Sequence, residues 1–307
     1  MKQESMRKAY SDTLIQLGED QNVVVLDADL SSSTQTGEFA KKYPSRFFNM
    51  GCAEQNLMGV SAGLAHSGKK VFTSTFAMFA TGRPWEQIRN TIAYDKLDVN
   101  IVATHAGLTV GGDGASHQAL EDLALMRIIP NMQVYVPADA KETKEILLYA
   151  YRTSGPKYIR LCRVHSDVVF DDSYKFNGKA TWLKEGAKVT LIACGLMVSE
   201  TLKAAALLEE KGIKAGVLNM STLKPIDAEA VKKAASIGPI VTVEEHNIIG
   251  GLGCAVLGAM RENPVPLKTI GVSDKFGQSG SPASLWKKYG LTAEAIAEQV
   301  QNWGAIR

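Results

Sequence analysis

Short stretches of this chain hold side chains that can move protons or grip a flat ring. In NMGCAEQN, Glu54 stands where a helix should begin. In TSTFAMF, Phe76 and Phe79 sit within a run of small residues. In THAGLTVGGDGASHQ, His105, Asp113 and His117 share a glycine-rich loop. An imidazole titrates near neutral pH, so either histidine is a candidate general acid or base. Each residue also has a plainer account. A glutamate in a first helical turn favours the positive end of the helix dipole. Phenylalanines most often pack in a core. A lone loop histidine is more often structural, although loops of this composition often carry function. It is the co-occurrence of these residues that favours a site.

The elements that must position them are legible as alternating patterns. Val- and Ile-rich runs predict strands at Val23–Leu26, Lys70–Thr73, Val99–Thr104, Gln133–Val136 and Tyr158–Leu161. Helical spacing predicts helices near Met6–Leu17, Ala53–Ala65, Trp85–Asp95 and Ala140–Thr153. The polar stretch Val164–Ala187 interrupts this rhythm and reads as a connector, with room for a short hairpin. A second series follows, with strands at Val189–Ala193, Ala215–Asn219, Ile240–Glu244 and Leu267–Gly271. Its helices fall at Met197–Lys211, Ala228–Ala235 and Gly251–Met260. The fold class expected is α/β, as two consecutive open, mostly parallel-sheet domains covered on both faces. The divisions expected are 1–170, a linker over 171–187, and 188–307. In such sheets ligands sit beyond the carboxyl ends of the strands, where most of the candidate residues fall.

Composition excludes several classes. Lys plus Arg is 34 against 32 for Asp plus Glu, a formal charge of +2 that argues against a broad nucleic-acid footprint. No run of about 18 apolar residues suggests a membrane span. The start, MKQESMRKAYSD, has no apolar core and is not expected to be a signal peptide. Cys52, Cys162, Cys194 and Cys254 form no CxxC pair. No zinc site is therefore expected, and buried free thiols in a reducing cytosol are.

The ordered series of motifs resembles the transketolases over nearly the whole chain. GCAEQN, TSTFAMF, HAGLTVGGDGASHQ, PNMQVYVPADAKE and GPKYIRLCR resemble the pyrimidine-binding domain. VTLIACGLMVSETLKAA and VTVEEHNIIGGLG resemble the C-terminal domain. The resemblance implies a thiamine-diphosphate enzyme of sugar-phosphate metabolism, of the pentose phosphate pathway type. It transfers a two-carbon ketol unit from a ketose phosphate to an aldose phosphate. Glu54 matches the glutamate that bonds N1′ of the aminopyrimidine, and Phe76 and Phe79 match aromatics packed on that ring. Asp29 matches an acidic residue beside the cofactor. His105 and His117 match the substrate-side histidines that handle protons, and Asp113 matches an aspartate bonded to a substrate hydroxyl. Arg7, Ser33 and Arg163 match positions that hold the sugar phosphate, for which a guanidinium fork is suited. Taken alone, an Arg on an N-terminal helix is usually solvated. The chain departs from single-chain transketolases at Ala53, where they carry Arg, and at Gly82, near which they carry a further aromatic. The AEQ form is shared with deoxyxylulose-phosphate synthases and with split transketolases.

Two glycine motifs imitate cofactor signatures. Gly112-Asp113-Gly114 lies inside the histidine loop, and Asn131 downstream has no neighbouring Asn. It therefore does not read as the family's GDG…NN site for diphosphate and Mg²⁺, a metal bound by few carboxylates plus phosphate oxygens. GGLG at Gly250–Gly253 is a weak dinucleotide signal, better read as a tight strand-to-helix turn. No metal ligands are expected in this chain. The resemblance thus implies an N-terminal partner subunit carrying the diphosphate site and the Mg²⁺ ligands, in an assembly with two copies of each subunit. The chain alone should be inactive. The alternatives are the β subunit of a 2-oxo acid dehydrogenase E1, a deoxyxylulose-phosphate synthase fragment, and a non-catalytic scaffold. The first two fit TSTFAMF, the histidine loop and YIRLCR less well. The scaffold would have been favoured by loss of Glu54, His105 or His117.

Overall fold

The Val- and Ile-rich runs become strands because both of their faces are covered. The computed structural model describes residues 2–306. In chain order the strands are β1 (Gln3–Ser5), β2 (Val23–Asp27), β3 (Phe47–Asn49), β4 (Lys70–Phe76), β5 (Val99–Thr104), β6 (Gln133–Tyr135), β7 (Lys157–Arg160) and β8 (His165–Asp167). They continue with β9 (Thr181–Lys184), β10 (Val189–Ala193), β11 (Ala215–Asn219), β12 (Thr222–Lys224), β13 (Ile240–Asn247) and β14 (Leu267–Val272). The first sheet has the order β12-β6-β7-β5-β4-β2-β3 and the second β14-β13-β10-β11-β9. All pairings in the two sheets are parallel except β12 on β6 and β9 on β11. Every residue of β2, β5, β10 and β11 is buried, as expected of parallel strands sandwiched between helices. The α/β class with two mostly parallel sheets is what the alternation predicts.

Three features depart from the expected organisation. The polar connector contains β9, which edges the second sheet, so part of 171–187 belongs to that sheet. Strand β12 crosses back to pair with β6, so the second half completes the first sheet. The expected helix Trp85–Asp95 is a short α-helical turn, Trp85–Gln87, running into a π-helix, Ile88–Ala93. Among the described residues no helix is long and apolar enough to cross a membrane. Cys162 and Cys194 are buried, as expected. Cys52 and Cys254 are exposed, because one lies on the loop before helix Glu54–His66 and the other on the outer face of helix Leu252–Ala259.

The first sheet has its switch point at β2 and β4. From β2 the chain moves outward to β3, then returns on the other side as β4 and β5. A crevice therefore opens beyond the carboxyl ends of β2 and β4, the place where open α/β sheets bind ligands.

Candidate functional site

Several candidate side chains stand at or just beyond strand ends. Asp29 follows β2, Glu54 begins the helix after β3, Phe76 ends β4 with Phe79 in the short helix Ala77–Thr81 after it, and His105 follows β5. Gly51, at φ +70°, lets the chain turn from β3 toward that helix. Asn49 Oδ1 accepts from the Gly51 N–H at 3.0 Å and the Asp29 N–H at 3.1 Å, and Asn49 Nδ2 donates to Asp29 Oδ1 at 2.8 Å. Asp29 thus braces the loop that leads to Glu54. The turn after β2 is braced by Asp27, which is fully buried. Its carboxylate accepts from the Leu30 N–H and from the hydroxyls of Thr34 and Thr36, at 2.6 to 2.9 Å. Burial raises the Asp27 pKa despite these bonds.

Glu54 is 5% exposed and lies in a cleft with Cys52, Ala53, Gln55, Asn56 and Arg83. Arg83 Nη1 donates to Glu54 Oε1 at 2.6 Å. The Arg83 guanidinium also lies 4.5 Å from the centre of the Phe79 ring. The Phe76 and Phe79 rings are nearly parallel, 6.0 Å apart. The His105 ring stacks on Phe76 at 3.8 Å, and His117 meets Phe79 edge-on at 5.3 Å. The two histidines, two phenylalanines, Arg83 and Glu54 therefore form one continuous contact series.

His105 is held in an uncommon backbone conformation, φ +57°, and Thr104 Oγ1 lies 2.9 Å from its Nδ1. Burial, followed by the nearby charges of Arg7 and Arg163 and by His117, pulls its imidazole down to about 3. His105 is therefore neutral across the physiological range. It can donate or accept a hydrogen bond but does not carry a stored proton as an imidazolium. The expectation that it titrates near neutrality is corrected by its surroundings. His117 is half-buried, with Ser116 Oγ at 3.0 Å from its Nδ1.

A cationic group stands beside the histidines. Arg7 donates through Nη1 to the Ser33 carbonyl at 2.7 Å and through Nη2 to the Arg163 carbonyl at 2.9 Å. Arg163 Nη1 donates to the Val110 carbonyl at 2.6 Å and lies 3.3 Å from Asp113 Oδ2. The structure thus gathers Arg7, Ser33, Asp113 and Arg163. Ser33 takes part through its backbone carbonyl, not its hydroxyl. Arg7, on the helix Met6–Leu17, is half-buried and bonded through both Nη1 and Nη2, so the solvated-arginine account does not apply. Asp113 belongs to the GDG run, and its carboxylate faces this cationic group. Among the described residues no three His, Cys, Asp or Glu side chains converge as a metal site would require.

Arg83, Asp27 and Glu245, which packs on the histidine loop, were not singled out by sequence reasoning. Arg83 offered one signal, its place just after the aromatic pair. The other two offered none, since their partners come from tertiary approach.

Comparison with known proteins puts this geometry in a family. Residues 2–166 match the family described as transketolase, pyrimidine binding domain, and residues 178–296 match transketolase, C-terminal domain. A Methanocaldococcus jannaschii protein named for the C-terminal section of a transketolase is 50% identical over 303 residues, covering 97% of this chain and 95% of its own. A Phocaeicola vulgatus protein named as one subunit of an apulose-4-phosphate transketolase is 40% identical over 296 residues, covering 95% of each chain. A solved split-gene transketolase, an inactive β4 tetramer, is 52% identical with a TM-score of 0.92 over 99% of both chains.

Proposed function

This chain belongs to the transketolase family, of which it carries the pyrimidine-binding and C-terminal domains, and on that premise we propose that it is one subunit of a two-subunit thiamine-diphosphate enzyme transferring a two-carbon ketol unit between sugar phosphates. The observation that carries this reading is the contact between Glu54, Arg83 and Phe79. The guanidinium is a flat cation with N–H donors. It donates to a shielded carboxylate while lying over an aromatic face. A protonated aminopyrimidine is also flat, also donates from a ring nitrogen, and suits the same two partners. The residues present therefore fit the pyrimidine half of thiamine diphosphate. When bound, that cofactor supplies the electron sink needed to break a carbon–carbon bond beside a ketone.

The chain's own residues then have distinct tasks. Glu54 shares a proton with the ring nitrogen. Phe76 and Phe79 hold the ring flat, with Asp29 bracing the Asn49–Gly51 loop beside it. His105 bonds substrate oxygens as a neutral imidazole, and His117 moves substrate protons. Arg7 and Arg163, with the Ser33 turn, receive the phosphate, and Asp113 orients a sugar hydroxyl. The diphosphate and Mg²⁺ are held by a partner subunit, in an assembly of two copies of each chain.

Related names support the division of labour. The M. jannaschii protein is a C-terminal section, the P. vulgatus protein is a single subunit of its enzyme, and the β4 tetramer is called inactive. The donor sugar is phosphorylated, with pentose phosphates as the default. The test is ketol transfer from xylulose 5-phosphate to ribose 5-phosphate, with thiamine diphosphate and Mg²⁺, using this chain alone and with its partner. Activity in the mixture only is expected. Activity of the chain alone would overturn the shared site.

A further inference from the structure

The histidine loop is built in the first half of the chain but enclosed by the second. From the first half, the Gly107 N–H donates to the Ala119 carbonyl at 3.0 Å and Arg163 ties down the Val110 carbonyl. From the second half, Glu245 on β13 reaches under the loop. Its Oε1 accepts from the Thr109 N–H at 2.6 Å, and its Oε2 lies 3.3 Å from Thr109 Oγ1. Thr109 lies at the start of the short 3₁₀ helix Leu108–Asp113, between His105 and His117. The approach is so close that a Cβ on Gly107 would lie 2.7 Å from Glu245 Cδ.

The segment before helix Pro282–Tyr289 closes the other side. Gln118 Nε2 donates to the carbonyls of Leu108 and Gln278, at 3.1 and 3.0 Å. A Cβ on Gly277 would lie 1.8 Å from Gln118 Oε1, and one on Gly111 would lie 3.3 Å from the Gly280 carbonyl. The loop is thus packed closely at Gly107, Gly111 and Gln118, while Gly112, Asp113, Ala115 and Ser116 face solvent.

Glu245 is 4% exposed. A buried carboxylate is costly unless bonded and electrostatically compensated. Burial raises its pKa to about 7 against the opposing charge of Arg160 and the bonds from Thr109. Arg160 is itself fixed, with Nη2 donating to the Glu245 backbone carbonyl at 3.1 Å and the guanidinium bonding Asp122 at 2.8 and 3.2 Å. Both oxygens of the Glu245 carboxylate are directed at Thr109. A carboxylate placed there for packing alone would be poorly suited, since an apolar residue of similar size would avoid the desolvation.

We infer that Glu245 is a positioning residue for the histidine loop, through which the C-terminal domain sets the placement of His105 and His117. This rests on the functional reading above only for what the histidines do; the clamp itself is independent of it.

The test uses Glu245→Ala, which removes the acceptor, and Glu245→Gln, which keeps an oxygen for the Thr109 N–H. Amide hydrogen exchange is measured on the full chain. Glu245→Ala should speed exchange over 105–118 by about tenfold or more while β2, β4 and β5 keep their protection. Glu245→Gln should restore slow exchange. With the partner subunit, Glu245→Ala should lower kcat about tenfold with the donor KM within about twofold, and Glu245→Gln should recover most of it. Unchanged loop exchange in Glu245→Ala, or equal acceleration over the whole chain, overturns the inference. A change in KM alone, or no rescue by Glu245→Gln, also overturns it. Inactive wild-type mixtures with the expected exchange pattern would instead count against ketol transfer and leave the clamp standing.

Discussion

The Glu54 cleft and the histidine loop are neighbours built on different terms. Glu54 is shielded, but the group that satisfies it is Arg83, whose side chain is 56% exposed. The histidine loop is tied at more points. It is bonded within its own domain through Ala119 and Arg163, and to the C-terminal domain through Glu245 and Gln278. On the proposed reading the cleft receives a flat cationic ring and the loop holds a fixed geometry. Preorganised groups aid a reaction most where they do not move during it.

The sharpest way to break this contrast is at Glu54. Glu54→Gln keeps the shape and removes the carboxylate. The mixture with the partner subunit should lose roughly a hundredfold or more in kcat, the range typical of a lost general acid–base group. The melting temperature should change by no more than a few degrees, because the partner lost is an exposed arginine and exposed pairs contribute about 0–1 kcal/mol. Near-normal turnover would remove Glu54 from the site.

His105 sharpens the contrast from the other side. Its environment lowers the imidazole from 6.5 to about 3. A base whose folded pKa is depressed stabilises the fold above its unfolded value and loses that contribution as pH falls from 6.5 toward 3. The imidazole signals of His105, followed by NMR from pH 8 to pH 5, should show no protonation step. A step near 6.5 would mean that the loop is open to water and not clamped. Any neutral-range inflection in kcat must then come from another group.

Much of this arrangement is legible in the amino-acid sequence, and the gaps have physical causes. The strands at Val23–Asp27 and Val99–Thr104 announce themselves because parallel strands buried on both faces need continuous apolar runs. Glu54 and the histidines are visible as polar residues at strand ends. By contrast, β3 and β12 have three residues each, too few for a period. The crossing of β12 to the first sheet depends on a partner nearly ninety positions away in the chain. Arg83 and Glu245 carry no local pattern at all. Their partners lie 29 and 136 positions away, and an exposed arginine or a strand glutamate is ordinary until the fold brings those partners near.

Arg163 tests whether the cationic group serves the substrate or the loop. Arg163→Ala should raise the KM for phosphorylated donors by about tenfold, the expected loss of one charged hydrogen bond. Because Arg163 also holds the Val110 carbonyl, kcat should fall as well, by a smaller factor. The KM for an unphosphorylated donor such as hydroxypyruvate should change little. If both donors suffer equally, the arginine acts on the loop and not on the phosphate.

The smallest effect is expected at Arg83, and its sign carries the information. If the guanidinium is a stand-in that must leave Glu54 before a ring can enter, Arg83→Ala removes a competitor. The bond displaced is an ion pair with one exposed partner, worth about 0–1 kcal/mol, so thiamine diphosphate should bind the two-subunit assembly up to about fivefold more tightly. Titration by calorimetry or by quenching of intrinsic fluorescence reads this without turnover. Weaker binding would mean that Arg83 stays in place and touches the bound ring itself. The cleft would then be as preorganised as the loop, and the contrast between the two regions would be lost.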